Sequence, residues 1–533
     1  MANLFIKSTI IIVVVTLLSR LLGLARNILL TNEFGVGIET DAFNMAYTLP
    51  LALFLVVPGA ISAVMIPAMK GLIGDENGLR RNELFHKALT AILLLFMVIS
   101  AAGMLWSEQI VSLLAYGFSA EKQEMTRELL IIMMPSALFI GMIAVFSSIL
   151  NAHHKFFATS FGTVINGLIV IASIYILTPQ LGIKGIAWGT TAGFAVYAAY
   201  LVVPLQKSAY TTRWNFAYRK DPVLRGMGER FVPILIGIVV SQAYLILEKF
   251  MASGLGDEKI TTLVLANSIV QLPVAVFAGA LAVPIFPLLS EYVKKNQMQQ
   301  MKDLVGRGFL YQYHLLLPAS LGLILLAPEF VAIFYDHTEA FTPHDVELTA
   351  WAMIFYSMGM VGWAGRDLLT RASYAIENTK TPVIVGAVSL GVYVLLGWLF
   401  IPALDHGGLA VAFSLATYFN MLLQLWFLRR QIGTLFHVSF YLSLGKGIIA
   451  AVAMSAVIWL LRGLSGAWGM MQLPIIVIVA VLVYTGCLWV MNESLVKELT
   501  DKIVTLAADG MNRIWKNRSS RRSGRDKTGK RGD

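Results

Sequence analysis

The segment TLLSRLLGLARNILL, Thr16 to Leu30, decides how the chain is read. It continues an apolar run that begins near Ser8 and is long enough to cross a bilayer, yet Arg20 and Arg26 sit well inside it. Two arginines at depth cost about 5–7 kcal/mol on the insertion scale, so such a helix needs a compensating surrounding. At about 100° per residue, every polar residue from Thr16 to Asn27 falls in about one third of the helix surface, with Gly23 in the middle. The remaining face is Leu, Val and Ala. Such a helix meets lipid on one side and something wet or anionic on the other. For Arg26, nearer the outer end, snorkelling to head groups is the competing reading.

The whole chain agrees with a membrane setting. Of 533 residues, 57% are hydrophobic and only 14% charged, with a mean hydropathy of +0.72, which is too little charge to cover a soluble protein of this size. Cys487 is the single cysteine, excluding disulfides and cysteine-based metal sites. The first segment does not read as a cleaved signal peptide, because its apolar core is too long and no small-x-small site follows.

Windows of about 20 apolar residues give fourteen spans: 8–30, 41–69, 86–106, 129–152, 158–178, 182–205, 231–252, 261–289, 309–334, 346–370, 381–403, 407–428, 443–461 and 472–492. Lysine and arginine collect in alternate loops: Lys70, Arg80, Arg81 and Lys87 after span 2, Lys207 to Arg230 after span 6, Lys294 to Arg307 after span 8. The loops between them are acidic or bare, as in TNEFGVGIET with Glu33 and Glu39. Even-numbered loops and both termini therefore face the cytoplasm. The tail NRIWKNRSSRRSGRDKTGKRGD has nine basic residues and two acids with no apolar period. It reads as a disordered segment suited to anionic lipid head groups or as a plain solubilising end. Nucleic acid is not an expected partner, since no basic module is interleaved with aromatics.

Stretches about 223 positions apart resemble one another. The segment from Asn151 aligns without gaps with the one from Tyr374, so that Ala152 meets Ala375, Leu181 meets Leu404, Gly185 meets Gly408 and Ala187 meets Ala410. PGAISAVMIP at Pro58 likewise pairs with AGALAVPIFP at Ala278. Each unit holds six spans, an even number, so the copies share one orientation and enclose a central cavity. The expected architecture is an all-α integral membrane protein with an N-lobe (1–220), a C-lobe (221–435), two further helices (436–495) and the basic tail (496–533).

Few other charges lie at depth. Asp41 opens span 2, where it either neutralises an arginine or caps the helix. Glu248 and Lys249 sit in span 7. As helical neighbours they point apart, so Glu248 is a candidate cation or proton site, or a partner for an arginine. Arg366, Asp367 and Arg371 lie toward the cytoplasmic end of span 10, where snorkelling is expected. In span 8, Asn267, Ser268 and Gln271 share a face suited to helix–helix bonding or to substrate. No phosphate-binding loop, metal-spaced His pair or nucleophile motif is present, so neither an enzyme nor a cofactor is expected. His153 and His154 fall in a short interfacial loop.

The residues SRLLGLARN, FGVGIETDAFNMAYTLP, PGAISAVMIP, ILNAHHKF, SQAYLILEKF and KTPVIVGAVSL resemble the MurJ/MviN family of lipid II flippases, over about 490 residues. The resemblance implies the two-lobed exporter fold with two added helices. It also implies transfer of the undecaprenyl-diphosphate-linked peptidoglycan precursor from the inner to the outer leaflet of the bacterial cytoplasmic membrane. Arg20, Arg26 and Asp41 match positions of the family's pattern. Three positions depart from it: Asn27 where an acid is usual, LPLALFLVVPGA in place of a helix-2 arginine, and ANSIVQLP, with Ser268 and Gln271, in place of a helix-8 arginine. Some members also bind sodium through helices 7, 11 and 12. Glu248 fits the first of these, while spans 11 and 12 offer few oxygen ligands. The candidate substrate residues are thus Arg20, Arg26, Asn27, Asp41, Ser268 and Gln271, with Glu248 for coupling. Competing functions are a flippase for another polyprenyl-linked glycan, a cation-coupled drug exporter centred on Glu248, and a scaffold whose basic tail recruits wall-synthesis proteins.

Overall fold

The computed structural model describes residues 2–72, 78–217, 221–463, 472–493 and 497, with side chains from Val14 onward in the first helix. The described residues form nineteen helices and no strands. The first lobe contains α1 (Ala2–Phe34), α2 (Ile38–Lys70), α3 (Leu79–Leu105), α4 (Ser107–Leu114), α5 (Ala120–Met133) and α6 (Ser136–Ala152). It continues through α7 (Phe156–Ile176), the short α8 (Thr178–Leu181) and α9 (Ile183–Gln206). The second contains α10 (Pro222–Ser253), α11 (Lys259–Lys294), α12 (Met298–Leu325), α13 (Ala327–Tyr335), α14 (Pro343–Met358), α15 (Met360–Ala375), α16 (Lys380–Leu404) and α17 (Gly407–Ile432). α18 (Val438–Gly463) and α19 (Gln472–Val490) follow.

Among the described residues, eleven helices are long and apolar enough to span a membrane, or thirteen when each of two bent pairs is taken as one span. The bends are 41° between α5 and α6 and 46° between the halves of α10. The remaining expected span, 346–370, is α14 plus α15, two helices of 16 residues divided at Gly359. With Arg366, Asp367 and Arg371 on its second half, it does not stand out by apolarity.

The division has a physical cause, and it occurs twice. Breaking a helix inside a bilayer frees backbone carbonyls that must find donors. At Gly359 they find Ser414 of α17, donating to Phe355 O at 2.6 Å, and Ser320 of α12, donating to Ser357 O at 2.6 Å. At the α5–α6 bend, Thr191 of α9 donates to Ile132 O at 2.8 Å and Ser100 of α3 to Met134 O at 3.1 Å. Thr191 and Ser414, like Ile132 and Phe355, stand at the repeat offset seen in the sequence.

Other repeat partners behave alike. Gly182 has φ 56° and ψ −143°, and Asp405 has φ 52° and ψ −136°. His154 and Glu377 both take left-handed φ, 59° and 62°. A Cβ on Gly185 would lie 2.7 Å from the Leu177 carbonyl carbon, and one on Gly408 would lie 2.6 Å from that of Phe400. The two lobes are therefore copies of one helical unit.

Phe85, Phe146, Phe194 and Leu201 build the core among α2, α3, α6 and α9. Leu316, Met353, Leu368 and Leu409 do so among α12, α14, α15 and α17. α18 and α19 pair through Met454, Ile458, Ile476 and Ala480 and leave Val452, Trp459, Ile478 and Leu482 exposed, an apolar face fit for lipid. A buried polar chain fastens them to α12: His314 bonds Tyr484 at 3.1 Å and Ser443 at 2.9 Å, and Ser443 donates to Glu493 at 2.8 Å. The basic tail lies outside the described residues except for Lys497.

Candidate substrate cavity between the lobes

α1 belongs to the first lobe, where it packs on α7, and it also faces α11 across the lobe boundary. The polar third of α1 is the face that meets α11. Asn27 donates to Ser268 at 2.7 Å, Arg20 donates to the Gln271 side-chain oxygen, and Gln271 in turn donates to Asn267 at 2.9 Å. The two stripes noticed separately in spans 1 and 8 thus face each other.

Arg20 opens onto a cavity of ≈ 200 Å³ whose far wall is Gln312 of α12 with Trp363, Asp367 and Arg371 of α15. This corrects the snorkelling expected of span 10. The break at Gly359 redirects α15, so that Asp367 and Arg371, four residues apart on one face, point between the lobes. Arg366 is held by its neighbour Asp367 at 3.0 Å. Arg371 forms no hydrogen bond or ion pair with any described residue. Gln312, 4% exposed, leaves its buried side-chain oxygen without a donor among the described residues. Sequence reasoning missed Gln312 and Trp363 altogether, since one polar and one aromatic residue in an apolar helix carry no pattern.

Arg26 lies about 9 Å farther along the α1 axis. It donates to Asn27 Oδ1 at 3.0 Å and lies over the Tyr47 ring, 5.1 Å from its centroid. It is half-buried at the lobe junction. Asn27 and Ser268 are engaged with each other at the same junction.

Asp41 does neither thing expected of it. α2 is capped by Gly37 and Thr40, and the Asp41 carboxylate meets no arginine. It is fully buried, paired with Lys122 of α5 at 2.8 Å, and accepts from Thr261 N at 2.8 Å and Thr261 Oγ1 at 2.7 Å. Lys122, also fully buried, reaches Asp257 of the α10–α11 loop at 2.8 Å. Thr338 donates to Asn32 O at 3.1 Å beside Gly35, whose φ of 66° faces the Ala340 carbonyl. The lobes are therefore locked together at the α1–α2 end. Nothing in the sequence paired Lys122 with Asp41, because the pairing is made by tertiary packing alone.

Glu248 and Lys249 point apart, as neighbours must. Glu248 accepts from Tyr356 OH at 2.6 Å inside the second lobe, whereas Lys249 donates to Asn44 O at 2.6 Å across the boundary. Among the described residues no group of three or more His, Cys, Asp or Glu is placed to hold a metal ion.

Residues 30–479 match the family described as "Lipid II flippase MurJ". The chain belongs to the lipid II flippase MurJ family. The probable lipid II flippase MurJ of Vibrio cholerae is 29% identical over 430 residues, covering 78% of this chain and 82% of that protein. The lipid II flippase MurJ of Burkholderia cenocepacia is 27% identical, with the same coverage of 78% and 82%. In fold, the chain resembles a solved MurJ in its inward closed conformation, with a TM-score of 0.80 and 24% identity over 91% of this chain and all of that one. It also resembles an inward-facing multidrug transporter of the MATE family, with a TM-score of 0.68 and 16% identity over 78% and 95% of the two chains. The MurJ family and the two-lobed fold expected from the sequence are thus both found.

Proposed function

We propose that this chain translocates lipid II, the undecaprenyl-diphosphate-linked peptidoglycan precursor, from the inner to the outer leaflet of the bacterial cytoplasmic membrane by alternating access. The observation that carries this reading is Arg20, held by Gln271 at the mouth of a cavity between lobes that are locked at the α1–α2 end. A diphosphate is the ligand that offsets an arginine at membrane depth, because guanidinium groups bind its oxygens through paired charge-assisted hydrogen bonds. Arg26, next along α1, is the second anchor. Asn27, Ser268 and Gln271 orient the two arginines, and Asp41 serves the lock.

The α1–α2 end faces outward and both termini face the cytoplasm, in keeping with the lysine and arginine bias of alternate loops. The prenyl chain stays in the bilayer while the head group crosses. With an inside-negative potential, outward movement of the diphosphate gains about 2.3 kcal/mol per charge per 100 mV. The basic tail rests on anionic lipid.

Rescue of cells depleted of their own lipid II flippase tests the reading. The parent chain is expected to restore growth, and Arg20→Ala and Arg26→Ala to fail at unchanged membrane abundance. Rescue by both variants would refute the arginine anchors, and export of a cationic dye without rescue by the parent chain would replace the flippase by a drug exporter.

A further inference from the structure

We infer that the α12–α15 wall of the cavity is the second half of the head-group site. Arg371 takes the diphosphate oxygens that Arg20 leaves free, and Gln312 and Trp363 take the adjoining sugar. This rests on the flippase reading and adds to it residues of α12 and α15.

Three independent observations converge there. The first is an unpaired cation. Among the described residues, Arg20 is the one charged residue that borders the cavity from the first lobe, beside Thr16. Arg371 supplies a second cation to that cavity from a different helix, and it is bound to no described residue. A partly buried arginine without a partner is costly unless a ligand completes it. Asp367, one turn before Arg371, pairs with Arg366 at 3.0 Å, and no ion pair joins it to Arg371.

The second observation is the side-chain oxygen of Gln312. It is buried, borders the same cavity and accepts from no described donor. An unmatched buried acceptor costs about 1–3 kcal/mol. A diphosphate carries only acceptors, so it does not answer this oxygen. A sugar hydroxyl or acetamido N–H does, and lipid II carries an N-acetylated sugar directly on its diphosphate.

The third is Trp363. Its ring borders the cavity beside Gln312 and is fixed edge-on by Phe413, with centroids 5.5 Å apart. An immobilised indole gives a sugar ring a flat apolar surface at little entropic cost. Cation, acceptor and aromatic plate therefore border one cavity, the three groups that a sugar diphosphate would engage.

The test is binding to the full-length protein in nanodiscs, with lipid II and undecaprenyl diphosphate as the two probes. Arg371→Gln is expected to weaken both probes about tenfold, the loss of one charge-assisted hydrogen bond, and Arg371→Lys to recover part of it. Gln312→Leu is expected to weaken lipid II about fivefold, as for one neutral hydrogen bond, and to leave undecaprenyl diphosphate unchanged. Gln312→Met, which keeps the length of the side chain and removes the acceptor, should repeat the result of Gln312→Leu, and thermal unfolding is followed for each variant. Parent-like binding of both probes by Arg371→Gln, with binding lost in Arg20→Gln, would overturn the inference and leave the flippase reading standing. Equal loss of both probes in Gln312→Leu would overturn the sugar assignment. If Arg20→Gln also binds both probes normally, the flippase reading itself falls.

Discussion

Lys122 offers the sharpest test of how the lobes are held. Its ammonium and the Asp41 carboxylate are both fully buried, and Asp257 is 56% exposed. Lys122→Met would keep the length of the side chain and leave Asp41 as a buried carboxylate without its counter-charge. Removing one member of a buried pair costs about 3–5 kcal/mol. The two hydrogen bonds from Thr261 persist, which argues for the lower end, about 3 kcal/mol. The exposed contact to Asp257 adds less than about 1 kcal/mol. This cost applies only while the α1–α2 end is closed, because on opening Asp41 meets water. The equilibrium should therefore shift toward the open form by about 100-fold, at about 1.4 kcal/mol per tenfold. Spin labels at Glu121 and Glu339, exposed positions on opposite lobes, in a Cys487→Ser background would report the separation by pulsed dipolar spectroscopy. Lys122→Met should lengthen the distance distribution. Adding Asp41→Asn, which removes the stranded charge, should bring it back. An unchanged distribution in Lys122→Met would refute the lock.

Three further outcomes follow from the fold. Gly185→Ala and Gly408→Ala each force a methyl group against a neighbouring backbone, so each should lower stability by about 1–3 kcal/mol in detergent unfolding; a loss at only one site would contradict their equivalence. The Lys87 ammonium, 2.8 Å away, holds the Asp221 carboxyl below its ordinary value, helped by the α10 amides of Leu224 and Val223. A lowered acid stabilises the fold above the ordinary carboxylate value of about 4 and loses that contribution as pH falls through the lowered one. The stability gap between parent and Asp221→Asn should therefore close on acidification, and a gap that widens would oppose this assignment. Glu248→Gln keeps an acceptor for Tyr356, whereas Glu248→Leu strands that hydroxyl at about 1–3 kcal/mol. With the fold thus preserved, Glu248→Gln should remove any response of transport to a cation gradient, and an undiminished response would clear Glu248 of coupling.

What the sequence determined alone follows from short-range rules. Bilayer thickness fixes how long an apolar run must be, and charged residues between runs fix their sidedness, so the spans were legible. The polar third of α1 was legible because helical periodicity puts Arg20, Asn27 and Gly23 on one face whatever surrounds them. The repeat was legible because glycines under close backbone contact, such as Gly185 and Gly408, leave no room for a side chain without a cost in stability.

Tertiary structure decided what those faces meet. Arg371 reads as an interfacial arginine until Ser414 and Ser320 satisfy the carbonyls freed at Gly359 and α15 turns inward. Asp41 reads as a partner for arginine until folding brings Lys122, 81 positions away, within 2.8 Å of it. Burial makes such pairings obligatory, since a charge withdrawn from water must take whichever opposite charge the packing supplies. That choice depends on how distant helices cross, and no local pattern in the chain records it.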